Sequence, residues 1–238
     1  MKRDDHQQEL HFLADNSFGN KDYETSEQYY HRLIEADPTE YSYHSGISFA
    51  LRLQGKLDEA VASIDQAISL NPQDANLYWM RAAAMKSFAC KQSDLTIQDR
   101  RETFRLSIPY EQTSLSLDPT SEEGWLDLIE SRICILDFHG AIGDLGRSNR
   151  YIQRLRLIWA FLGSLAFILA GMETDPELDS IFFNPDASFS AWCLIELERL
   201  LKDLEQEGFD PSRLGEARVY LDHFIEKKGR GGLLMRLI

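Results

Sequence analysis

The side chains able to do chemistry are present in this chain but are not gathered in its sequence. Six histidines (His6, His11, His31, His44, His139 and His223) could shuttle protons or bind a metal, yet none sits one helical turn from another. Three cysteines, Cys90, Cys134 and Cys193, lie more than forty residues apart. None belongs to a CxxC or His–Cys cluster, so no zinc site is expected, and their apolar neighbours are those of buried thiols. The carboxylate pairs Asp58-Glu59 and Glu122-Glu123 have the residue types of acid–base pairs, but nothing around them rises above a solvated face. No G-x-S-x-G, Walker A, H-E-x-x-H or G-x-G-x-x-G pattern occurs. The expectation is a chain with no catalytic residue, no cofactor and no metal, and so not an enzyme.

Charge narrows the partners. The formal net charge is −14. Residues 1–150 hold 25 acidic and 15 basic side chains, and residues 151–238 hold 14 and 10. Neither stretch could neutralise many phosphates, which argues against nucleic acid as a partner. The start, Met1-Lys2-Arg3-Asp4-Asp5, leads into polar residues and does not resemble a secretory leader. The one long apolar stretch, Leu157 to Met172, is 16 residues with two glycines. That is short of the ~20 needed to cross a bilayer, so it reads as a buried helix, with no membrane role and a cytoplasmic location expected.

The elements that would position these residues repeat. Asp37-Pro38, Asn71-Pro72 and Asp118-Pro119 punctuate the chain, the first two prolines 34 residues apart and the next two 47 apart. The excess of 13 marks an insert around Lys91–Arg101. Between Tyr41 and Asp74, Ile47, Ser48 and Leu51 form one helical face. Gln54-Gly55-Lys56-Leu57-Asp58-Glu59-Ala60-Val61 then supplies a turn and the start of a second helix, whose inner face continues through Ile64, Ala67 and Leu70. Equivalent places hold Leu10, Leu13, Ala14, Tyr23, Ser26, Tyr30 and Leu33 before it, and Tyr78, Ala82 and Met85 after it. Farther on come Trp125 and Leu128, then Asp137-Phe138-His139-Gly140-Ala141-Ile142, and finally Trp159, Leu162 and Gly163.

A 34-residue unit closed by proline, with small residues such as Ala60 and Ala141 where two helices cross, resembles the tetratricopeptide repeat. The resemblance implies an all-α fold, a right-handed superhelical solenoid of antiparallel helix pairs with a C-terminal capping helical region. It covers 7–172 as an array: 7–40, 41–74, 75–121 with the 13-residue insert, 122–155, and a partial repeat at 156–187. Pro109 is expected to interrupt the second helix of the third unit. Asp175-Pro176-Glu177 reads as a capped helix start, followed by a short helix to Phe183. A long helix from Ala187 to Glu207 closed by Gly208, and another from Asp210-Pro211-Ser212, complete a divergent repeat and cap over 173–228. Residues 229–238 read as a flexible tail.

In this family the first helix of each pair lines a concave face, and the paired carboxylates fall in the first turns of helices, where they favour the dipole. Carried over position by position, that face receives Gln8, His11, Phe12 and Asp15, then Ser45, Phe49, Arg52 and Leu53. It continues with Asn76, Trp79, Met80 and Ala83, and ends with Leu126, Asp127 and Glu130. The implied function is a scaffold that holds a peptide or helix of another protein on an aromatic floor of Phe12, Phe49, Trp79, Met80 and Leu126. About half of these side chains are expected to pack beneath a neighbouring helix instead. The family's clamp for a C-terminal carboxylate needs Lys, Asn, Asn, Lys and Arg, where this chain has His11, Asp15, Gly46, Asn76 and Met80. Chaperone-tail binding is therefore not expected. A homodimer through the terminal helices or the tail is the alternative role.

Overall fold

The computed structural model describes the backbone of residues 3–91, 94–184 and 195–231, and the side chains within these except at 3–5, 90, 91, 195, 196 and 227–231. The described residues form helices Arg3–Gly19 (α1), Tyr23–Ala36 (α2), Tyr41–Gln54 (α3), Leu57–Leu70 (α4), Ala75–Lys91 (α5) and Ile97–Leu117 (α6). They continue with Glu122–Cys134 (α7), Phe138–Ser148 (α8), Arg156–Ala170 (α9), Pro176–Phe182 (α10), Ile195–Gln206 (α11) and Pro211–Gly231 (α12). The chain separates into two compact units, residues 1–118 and 119–238, so the boundary falls at the third Asx-Pro pair, inside the 7–172 span.

The punctuation seen in the sequence has a backbone meaning. Asp37, Asn71 and Asp118 are the C-caps of α2, α4 and α6, and the proline that follows each cannot continue a helix. Gly55 ends α3 in the left-handed region at φ +83°, which a side chain with a Cβ adopts only with strain. Asp22 and Asp137 cap α2 and α8 by accepting from the backbone N–H of Thr25 and Gly140. Asp175 caps α10 with Pro176 in its first turn, as the sequence indicates.

Packing in residues 1–118 follows the pairing α1 with α2, α3 with α4 and α5 with α6, and each pair also packs on the next. Leu10, Ala14, Tyr30, Leu33, Ile47, Leu51 and Ala60 form one core cluster and Ile64, Ala67 and Leu77 another. Ala60 has no exposed surface, and its carbonyl accepts from the Ser48 hydroxyl at 2.7 Å, so the small crossing residue sits where α3 and α4 meet closely.

The 13-residue excess is distributed over helix ends and turn. α5 has 17 residues and α6 has 21, against 14 each for α3 and α4, and five residues rather than two connect the pair. Pro109 does not interrupt α6, contrary to the expectation from its missing N–H. It lies exposed on a helix whose buried side carries Phe104, Ile108 and Leu115. Arg105, whose carbonyl loses its helical donor to Pro109, is an exposed residue, and α6 packs on α5.

In residues 119–238, α9 is central: α7, α8, α10 and α12 all pack on it, and 12 of its 15 residues are buried. The apolar stretch is thus a core helix, and no helix among the described residues is long and apolar enough to cross a membrane. Phe161, Phe182 and Phe224 stack where α9, α10 and α12 meet. α10 ends at Phe182, one residue short of the sequence reading, and Gly208 follows α11 at φ +75°. Cys134 is buried. Cys193, the start of the Ala187–Glu207 helix and the tail beyond Gly231 lie outside the described residues, as do the surroundings of Cys90.

Candidate protein-binding face

Within residues 1–118 the first helices α1, α3 and α5 carry the positions singled out by the repeat, and ring contacts tie them together. Phe18 of α1 stacks on Phe49 of α3 with centroids 5.1 Å apart, and Tyr23 packs on the same Phe18. The Arg52 guanidinium lies 4.8 Å over the Phe49 ring and donates from Nη1 to the Ser87 hydroxyl of α5 at 3.2 Å. One side-chain run therefore crosses three helices. Near the other end of α1 and α3, His11 meets Tyr30 and Tyr43 edge to face.

Asp15 is exposed and accepts from the Tyr30 hydroxyl at 2.6 Å. Burial, and then the bond to Asp15, pushes the Tyr30 phenol well above the ordinary tyrosine range, so it stays a neutral donor. Phe12 is 67% exposed, a large apolar side chain standing in water. Phe49, Arg52 and Trp79 are half-buried. Asn76 is exposed, and its backbone N–H bonds the Asp74 carboxylate in the turn entering α5. Met80 is partly committed to the interior, packing on the Ile64, Ala67 and Leu77 cluster.

The positions carried onto the fourth repeat differ. Leu126 has no exposed surface and Glu130 only 6%, while Asp127 is half-buried. Leu126 is a core residue and does not belong to a binding floor. The reason is tertiary: α7 packs on α8, α9 and also α11, burying nine of its 13 residues. Sequence reasoning also missed Phe18 and Ser87. Phe18 lies seven residues beyond His11, so the helical period through that position was an available signal. Gly46, one of the clamp positions, offers no side chain because the Tyr30 ring occupies the space a Cβ would need.

Among the described residues no group of three or more His, Cys, Asp or Glu side chains is arranged to hold a metal ion.

A family model described as TPR repeat, the tetratricopeptide unit, matches residues 50–87, from the end of α3 through most of α5. No curated protein matches the sequence. Among solved structures the chain is similar to MamA, at 14% identity over 82% of this chain and 96% of that one, with a TM-score of 0.57. It is also similar to YrrB, described as a TPR protein with an unusual peptide-binding site (12% identity, 88% and 90% covered, TM-score 0.55). A third is TTC0263, a thermophilic TPR protein of Thermus thermophilus (12% identity, 90% and 98% covered, TM-score 0.55). The chain has an all-α helical-repeat fold. More narrowly, residues 50–87 match the tetratricopeptide repeat, and the chain as a whole has the fold of TPR proteins.

Proposed function

We propose that the chain is a protein-interaction scaffold that holds a peptide or helix of a partner on the face formed by α1, α3 and α5. The reading is carried by one observation: aromatic side chains on these helices stand partly or largely in solvent, and a run through Phe18, Phe49, Arg52 and Ser87 crosses all three. Phe12 is 67% exposed, Phe49 and Trp79 are half-buried, and Phe49 is held by Phe18 and Arg52. Apolar rings positioned by neighbours and left accessible supply contact area at low entropic cost. YrrB, of the same fold, is described as having a peptide-binding site. The face differs from a carboxylate clamp because its cation positions are taken by His11, Asn76 and Met80, so an apolar or aromatic segment is the partner it suits.

Affinity capture from native lysate with the full chain, Phe49→Ala and Trp79→Ala tests this. The expected result is a protein retained by the wild-type chain and reduced at least about tenfold by each variant, with the far-UV helical signal unchanged. Equal capture by both variants would remove this face from the function.

A further inference from the structure

Residues 147–156 carry four arginines and no acidic residue, unusual in a chain of net charge −14. Three have carboxylate partners: Arg147 pairs with Asp144, Arg154 with Glu123, and Arg156 with Glu177 at 2.7 Å. The fourth, Arg150, is exposed and makes no ion pair among the described residues. Its guanidinium instead lies 4.6 Å over the Tyr151 ring, and Tyr151 stacks on Trp125 with centroids 6.1 Å apart and planes 11° from parallel. The Trp125 indole N–H donates to the Pro119 carbonyl at 2.9 Å, which fixes the platform.

These groups line a cleft of about 660 Å³, a size that holds small ligands. Gly146, Asn149 and the Asp144-paired Arg147 complete it. The space beside Gly146 is open, with nothing within 4 Å of where a Cβ would stand. The Asn149 side-chain oxygen accepts from Arg156, which leaves its amide N–H groups as donors.

We propose that this cleft binds a carboxylate side chain of an acidic peptide segment. Arg150 supplies the guanidinium fork, Asn149 a second donor, and the Trp125–Tyr151 stack the wall for the apolar residue beside the acid. The nearby acids do not oppose it. Asp144 is neutralised by Arg132 and Arg147, Glu123 by Arg154 and Glu177 by Arg156, while Glu122 accepts the backbone N–H groups of Arg154 and Leu155. More distant charges are screened within about 8 Å at physiological salt. A nucleobase fits poorly, because it would have to push between rings already in direct stacking range. A phosphate dianion would meet a single unmatched guanidinium, which balances the one charge of a carboxylate.

The test uses the full chain and the indole N–H signal of Trp125 in NMR, assigned with Trp125→Phe. The probe is an acetylated, amidated Glu-Leu-Glu-Leu peptide, with Gln-Leu-Gln-Leu and inorganic phosphate beside it. The expected result is a saturable shift with the acidic peptide alone. Arg150→Gln should weaken it at least about tenfold. Gly146→Leu, which fills the open space and keeps every charge, should do the same while the other indole signals stay in place. A wild-type chain that gives no saturable shift, responds equally to the glutamine peptide, or is unaffected by Arg150→Gln overturns the proposal. Saturation by phosphate without the peptide also overturns it and makes the cleft a phosphate site.

Discussion

Two tyrosines show how single residues commit to the fold. Tyr30 and Tyr220 each donate to an aspartate, Asp15 at 2.6 Å and Asp179 at 2.7 Å. Burial first, and then that bond, lifts both phenols, Tyr220 to about 12 and Tyr30 beyond that. In the unfolded chain a tyrosine ionises near pH 10. Above that pH the unfolded chain sheds protons that the folded chain keeps, so the stability these groups give is complete below pH ~10 and declines as pH rises toward the folded values. Denaturant titrations across this alkaline range should show the decline, and Tyr220→Phe should flatten it. An identical slope in the variant would refute the assignment. Gly46 makes a second case. Gly46→Ala gains about 1 kcal/mol in helix propensity but drives a methyl group into the buried, hydrogen-bonded Tyr30 ring, where overpacking costs about 1–3 kcal/mol. The expected outcome is a lower melting temperature. A raised one would mean that Tyr30 moves aside freely.

The helices explain what could be read ahead of structure and what could not. Asx-Pro pairs, capping residues and small crossing residues act within a few positions of themselves, so the regular pairs α1–α2 and α3–α4 were legible. The insert was legible as a count, but not its division among α5, the connection and α6. Pro109 shows a local rule overridden by packing, since α6 holds through it. Because the proline still removes one backbone bond, Pro109→Ala should stabilise the chain by about 1–3 kcal/mol in denaturant unfolding. No gain would mean that the freed carbonyl costs nothing. At the head of α6, Thr96 and Asp99 form a reciprocal cap, so Thr96→Ala should cost about 0.5–2 kcal/mol in the same assay. Leu126 was misplaced because α7 packs on α8, on α9 and on α11 from far along the chain, and no neighbouring residue signals the last of these contacts. Phe49 and Trp79 were readable from the repeat, but the links through Phe18 and Ser87 depend on how three helices meet.

On the scale of the whole molecule, residues 1–118 and 119–238 each have their own buried set, around Ile64 in the first and Phe161 in the second. Repeat units interact mainly with neighbours, so damage should stay local. Ile64→Ala, a core truncation of about 2–5 kcal/mol, should lower amide-exchange protection in α3–α6 and leave α9 protected. Equal loss in α9 would make the two sets one cooperative core. The central claim is that a partner binds on α1, α3 and α5, and the most direct measurement is amide-exchange footprinting of the full chain with and without its captured partner. The expected result is new protection on α1, α3 and α5, including the segments that carry Phe12, Phe49 and Trp79. Protection confined to α2, α4 and α6, or to residues 119–238, would contradict it.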